Sequence, residues 1–162
     1  MKLKIIFISI IAILCSKTTT AQNYVDLGLR VLWADQNARG FYTHYEIKYY
    51  FPGETLPAED EFKELINKCT WEWTQFNNVN GYKITGPNGN HIFLPAAGNP
   101  DYYGDTLVGV TGHYWSSTGM YGSTSSALVR ESFHYLFFSK NEIYVTTNHE
   151  SSRYSVRFIK RK

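Results

Sequence analysis

The sequence predicts an α+β domain in which one early helix is followed by strands and hairpins with long loops between them. Three observations predict it. A single apolar stripe of helical period runs between Pro57 and Lys68. Apolar–polar alternation marks most of the remaining chain. Clusters of Gly, Asn, Asp and Pro separate the alternating runs.

The first element is not part of that domain. Lys2 and Lys4 precede an apolar run from Ile5 to Cys15, and the small, polar stretch Ser16–Ala21 follows. Charged start, short apolar middle and small-residue end are the parts of a secretory signal peptide. Such a run reaches ~16 Å as a helix, against a hydrocarbon core of about 30 Å, so it is too short to remain as a span. Residues 1–21 are therefore read as a signal cleaved after Ala21, and residues 22–162 as one domain with no transmembrane span, secreted or held at the cell surface or in the periplasm. Cys15 raises a rival, an outer-membrane lipoprotein. A lipobox wants small residues before its cysteine, and Ile13 and Leu14 are bulky, so Cys15 is read as an apolar filler.

Removing Lys2, Lys4 and Lys17 lowers the formal charge from +2 to −1. No basic excess remains for nucleic acid. Cys69 is then the sole cysteine, so no internal disulfide can form. Stability must come from packing, for which 13 Tyr, 10 Phe and 4 Trp are available. Each fully buried large side chain contributes roughly 1.5–3 kcal/mol.

In Asn23–Ala34, Leu27, Leu29, Val31 and Trp33 alternate with other residues, which predicts a strand with one buried face. Asp35–Gly53 reads as irregular, with a short strand at Ile47–Phe51. Pro57–Lys68 is the main helix: Phe62, Leu65, Ile66 and Cys69 form its stripe, and Glu59, Asp60 and Glu61 suit the positive end of its dipole. That position favours a helix-start role over a catalytic or metal-binding one for the three acids. Thr70–Thr74 alternates, with Trp71 and Trp73 on one face. Asn80-Gly81 reads as a turn. Tyr82–Thr85 and His91–Leu94 read as a hairpin around Gly86–Asn90, and Ala96–Gly112 as a long loop. Strands follow at Tyr114–Thr118, Ala127–Ser139, Glu142–Thr147 and Tyr154–Lys160, separated at Asn141 and Asn148–Ser152. No repeat or linker divides the chain.

Several of these segments resemble a known family. Tyr24-Val25-Asp26-Leu27-Gly28-Leu29 with Trp33-Ala34, Leu56-Pro57, Glu61-Phe62, Leu65 and Cys69-Thr70-Trp71 match its first half. Gly81 to Asn90, Ile92 to Gly98, Tyr114 to Thr118 and Ser155-Val156-Arg157 match the rest. The chain resembles the major paralogous domain family named from Fibrobacter succinogenes, which is abundant in secreted proteins of Bacteroidetes-type bacteria. The resemblance spans nearly all of residues 22–162 and is weak from Asp35 to Thr55. It implies a C-type-lectin-like fold related to the formylglycine-generating-enzyme architecture: a twisted antiparallel sheet with one main helix and long loops. Similar folds serve as ligand-binding scaffolds, including diversified receptor-binding proteins of retroelement systems. Family members often carry a cysteine where this chain has Gln36. A pairing of that cysteine with the position of Cys69 would be lost here, leaving Cys69 a buried free thiol at the helix end.

The catalytic candidates are thin. His44, His91, His113, His134 and His149 form no zinc-type spacing, and no Gly-x-Ser-x-Gly occurs. Ser116 and Ser117 read as turn hydroxyls. A formylglycine-generating chemistry needs a reactive cysteine pair. Asn99, Asp101 and Asp105 could offer calcium oxygen ligands, but turn chemistry also enriches loops in Asp and Asn and is preferred. Arg157 is read as tying loop carbonyls through its five donors in preference to binding an anion. No cofactor, metal or catalytic residue is assigned. The remaining signal is aromatic. Tyr102, Tyr103, Tyr121 and Tyr154 fall in or beside loops, with His113, His149 and Arg153 near them. Core cover is the preferred reading for any one of them, and ligand binding for the set. The expected function is a non-catalytic module for a glycan or extracellular protein; the alternatives are a structural surface or adhesin component and, last, an enzyme.

Overall fold

A computed structural model of the chain describes residues 22–101, 104–121 and 131–162, with only the backbone of residues 101, 104–106 and 121. The signal-peptide reading of residues 1–21 lies outside it. The architecture is α+β: small antiparallel sheets with two helices. No helix among the described residues is long and apolar enough to cross a membrane.

The first and last strands share a sheet. β1 (Tyr24–Asp26) pairs with β2 (Val31–Ala34), and β11 (Ile159–Arg161) pairs with the other edge of β2. The single strand expected over Asn23–Ala34 is thus a hairpin. The Asp26 carboxylate accepts from Gly28 N at 2.7 Å, and Gly28 takes a φ of +78°, which turns the chain. The predicted alternation survives that turn: Leu27, Leu29, Val31 and Trp33 are all buried.

The stretch expected to contain a strand at Ile47–Phe51 is instead α1 (His44–Tyr50). Its start is a capping box: Thr43 Oγ1 accepts from Glu46 N at 3.2 Å, and the Glu46 carboxylate accepts from Thr43 N at 2.9 Å. His44 and Ile47 are its buried residues. The predicted main helix is α2 (Glu59–Lys68). Glu61 reaches back to Ala58 N at 2.8 Å and also pairs with Arg161, while Phe62 and Leu65 are fully buried. Cys69 caps this helix as a free thiol. It packs against the core half-buried, not fully buried as expected.

β3 (Thr70–Phe76), β4 (Val79–Thr85) and β5 (His91–Pro95) form the second sheet in that order. The turn expected at Asn80-Gly81 lies earlier, at Asn77 and Asn78, whose φ angles are +50° and +62°. Two residues at positive φ joining Phe76 to Val79 make the kind of turn that matches strand twist. Gly81 is used inside the strand instead: a Cβ there would lie 2.8 Å from Phe93 Cζ and would run into the Leu94 carbonyl. The Gly86–Asn90 turn is as expected.

The region expected as a loop, Ala96–Gly112, contains a small hairpin of β6 (Asn99–Asp101) and β7 (Gly104–Thr106). The third sheet runs β10 (Ile143–His149), β9 (Glu131–Ser139), β8 (Thr111–Tyr121). The expected final strand Tyr154–Lys160 is strand only at its end, as β11; before it, Tyr154 and Ser155 make isolated bridges to Tyr42 and Tyr114.

Two buried clusters result. The larger gathers Trp33, Phe62, Tyr82, Tyr114 and Phe138, and the smaller gathers Trp115, Phe133, Tyr154 and Phe158. Arg157 lies beside both, almost fully buried. It donates to Ala34 O at 2.8 Å, Phe93 O at 2.7 Å and Asn37 Oδ1 at 2.8 Å. Arg157 thus ties carbonyls as read from the sequence, but they belong to strands β2 and β5 and not to loops. Burial lowers its guanidinium to about 10, so it stays cationic at neutral pH.

Candidate functional site

Of the residues singled out from the sequence, His113, His149, Arg153 and Tyr154 have described side chains, and these divide between the interior and local structural roles. Tyr102 and Tyr103 lie outside the described residues, and Tyr121 ends β8 with only its backbone described. His113 and Tyr154 are interior. Their rings stack 5.0 Å apart, with Tyr135 4.5 Å from Tyr154. His113 keeps one bond, Nε2 to Thr111 Oγ1 at 3.2 Å, and burial pushes its imidazole down to about 4. It is therefore neutral. His149 bonds Ser151 Oγ through Nδ1 at 2.8 Å, closing a turn. Arg153 is exposed but engaged, with Glu46 and with Phe41 O at 2.9 Å. Two members of the set are thus core and two hold local structure together. The hydroxyl of Ser116 accepts from Thr118 N at 3.1 Å, the turn role expected.

A concave surface lies elsewhere, on the outer face of the β3–β4–β5 sheet. Alternation and register build it. Trp71, Trp73, Tyr82, Ile84, Ile92 and Leu94 point to the core. Glu72, Thr74, Phe76, Gly81, Lys83, His91 and Phe93 therefore point away from it. Phe93 lies over Gly81, which has no side chain to displace it. Phe76 meets Phe93 at 5.6 Å between ring centroids and 49° between planes, and is 59% exposed.

A wall rises beside these rings from residues 35–37. Asp35 is fixed by Asp35 N to Asn23 O at 3.0 Å and by Gln22 Nε2 to its carboxylate at 3.0 Å. Asn37 is fixed between Arg157 and the Tyr114 hydroxyl, to which it donates at 3.0 Å. Between wall and sheet lie two adjoining cavities of about 240 and 400 Å³ that share Asp35, Phe76 and Phe93. The smaller adds Asn77, Val79 and Pro95; the larger adds Gln75, Lys83 and His91. Together they fall in the ~300–1,000 Å³ range of small-ligand sites. The groove offers aromatic faces, a carboxylate, amides and cationic donors.

Sequence reasoning missed this groove, although a signal existed. Phe76 is out of phase with Trp71 and Trp73, and Phe93 sits between two core-facing residues. Each is an aromatic ring on the polar face of its strand.

A second cleft of about 310 Å³ lies under α1, between His44, Ile47, Leu56 and Phe133. His44 is committed to structure there. It stacks on Phe133 with 3.4 Å between centroids, and its Nε2 bonds Ser116 O at 3.0 Å. On the outside of α1, Tyr45 and Tyr49 are each 74% exposed. Among the described residues no group of three or more His, Cys, Asp or Glu is placed to hold a metal ion. No family model, no curated protein and no solved structure matches the chain.

Proposed function

We propose that this chain is an exported, non-catalytic binding module of C-type-lectin-like fold, which holds a glycan or an extracellular protein on the outer face of the β3–β4–β5 sheet. The observation that carries this reading is the pairing of a largely exposed Phe76 with Phe93 beside a fixed Asp35. A ring left on a polar strand face, next to a braced acid, is placed for contact with something outside the chain. The state of Cys69 favours binding over cysteine chemistry. Burial pushes its thiol up to about 11, the reverse of an activated nucleophile.

The test is retention of the purified protein on arrays of immobilised glycans and extracellular proteins. Retention should occur and should disappear in the double variant Phe76→Ala, Phe93→Ala. No retention, or retention indifferent to both substitutions, would overturn the reading. Export is tested separately: recovery of the uncleaved chain from the cytosol would contradict it. A structural surface role is the second reading, favoured by the exposed Tyr45 and Tyr49 on α1. It predicts concentration-dependent self-association on size-exclusion chromatography that Tyr49→Ser weakens.

A further inference from the structure

We infer that the occupant of the groove is a neutral oligosaccharide, stacked through its C–H faces on Phe93 and Phe76. The inference rests on the groove being the binding surface and goes on to choose the ligand's chemistry.

Ring geometry is the first argument. Phe93 reaches across Gly81, where its Cζ would lie 2.8 Å from an added Cβ, and its side chain stays only partly buried on the outer face. Phe76 adds a second facet inclined by 49°. A flat aromatic ligand needs parallel surfaces. Two inclined facets suit two successive sugar rings, whose apolar C–H faces turn relative to each other along a chain. The adjoining cavities give length for a short oligosaccharide.

Polar composition is the second. Sugar hydroxyls both donate and accept, so their site needs both kinds of partner close to the stacking faces. Asp35 accepts, Lys83 donates, and the Thr74 hydroxyl does both. These groups are interleaved with the rings and do not form a separate rim.

Charge decides between neutral and acidic sugars. Asp35 lines both cavities. The nearest buried cation, Arg157, is committed through each of its three nitrogens to Asn37, Ala34 O and Phe93 O. Lys83 has Glu72 directly opposite it in register on the same sheet face. A uronate or sialate carboxylate would meet Asp35 without a free guanidinium to offset it. An extended peptide adding to the sheet at β5 is disfavoured as well, because the Phe93 carbonyl on that strand is already occupied by Arg157.

The experiment is isothermal titration of the purified protein with cellohexaose, xylohexaose, mannohexaose and maltohexaose, and with a galacturonate hexamer at low and high salt. At least one neutral hexaose should bind. Phe93→Ala and Phe76→Ala should each weaken it about tenfold, and Phe76→Trp should retain it. Salt should have little effect. Phe76→Ala should melt like the parent, which separates lost stacking from lost folding. Binding of the galacturonate alone, weakened by salt, would overturn the inference, as would silence from all four neutral hexaoses. If a protein on the array is retained in a Phe93-dependent way while no hexaose binds, the binding-module reading stands and the sugar inference fails.

Discussion

The two faces of the β3–β4–β5 sheet treat aromatic rings in opposite ways. On the inner face Trp71, Trp73 and Tyr82 all turn toward Phe138, with ring centroids 5.4–6.4 Å away. Phe138 in turn lies over Gly112 and stacks on Tyr114. On the outer face Phe93 lies over Gly81 in the same manner, yet its other neighbour is the exposed Phe76. Both faces use a ring laid on a glycine. What differs is the next layer: the β8–β9–β10 sheet covers the first face, and among the described residues the 35–37 wall flanks the second. Alternation chooses the face of a side chain, and a covering layer decides whether its ring becomes core or contact surface.

That contrast can be broken most forcefully at its hubs. Phe138→Ala removes the ring that Trp71, Trp73, Tyr82 and Tyr114 share, and should cost about 4 kcal/mol in chemical denaturation. Phe93→Ala should cost far less and should act on binding instead. Equal losses would mean that the outer ring is core as well. Arg157→Met tests the brace between the two faces. It leaves the Ala34 and Phe93 carbonyls without their charged donor and leaves Asn37 held by the Tyr114 hydroxyl but not by the guanidinium. A stability loss of about 3 kcal/mol is expected, with weaker ligand binding even in the fraction that remains folded, because the wall of the groove loses that hold.

These contrasts show what a single sequence makes legible. The core face of each strand could be read from period alone: Leu27, Leu29, Val31 and Trp33, then Trp71 and Trp73, are placed as their spacing predicts. The stripe of α2 was equally plain. α1 was not, because it is short and rich in aromatic residues of strand preference, and its buried residues are His44 and Ile47. Its signature was the Thr43–Glu46 capping box, a local chemical cue instead of a periodic one. The Asn80-Gly81 pair misled for the converse reason. Gly81 is needed under the Phe93 ring, and the flanking asparagines at 77 and 78 accept positive φ well enough to make the turn. Half of the groove was present in the phase of Phe76 and Phe93. Its other half depends on Arg157 binding Asn37 across 120 positions, which no local pattern encodes. His113 and Tyr154 proved to be interior, because ring size and polarity do not say which way a side chain faces.

A buried polar ring sharpens the comparison from the inside. His113 lies between Tyr135 and Tyr154, and its Nδ1 has no partner among the described residues. Burial holds it down to about 4, against about 6.5 in an unfolded chain. The folded state therefore refuses a proton that the unfolded state accepts between those values. Stability should be level above about pH 6.5, fall as the pH drops, and stop falling on this account below about 4. The loss from this residue should be roughly 2–3 kcal/mol. Denaturation midpoints measured from pH 7.5 to 4 should show it, and His113→Phe should flatten that part of the curve. A slope that His113→Phe leaves unchanged would show that the ring is hydrated in the fold.

The smallest effect on stability should come from Phe76, and that is what makes it the sharpest probe. A ring 59% exposed, at the closing pair of a hairpin, has little burial to lose. Phe76→Ala should change stability by no more than ~0.5 kcal/mol. The turn beside it is held by the backbone of Asn77 and Asn78, so the hairpin should keep its register. A ring kept for folding would cost more than this when removed; a ring kept for contact would cost affinity alone. Denaturation and ligand titration on the same preparation separate the two. A loss of 2 kcal/mol or more, set as an order-of-magnitude threshold for core behaviour, would move Phe76 into the interior and erase the distinction between the two faces of the sheet.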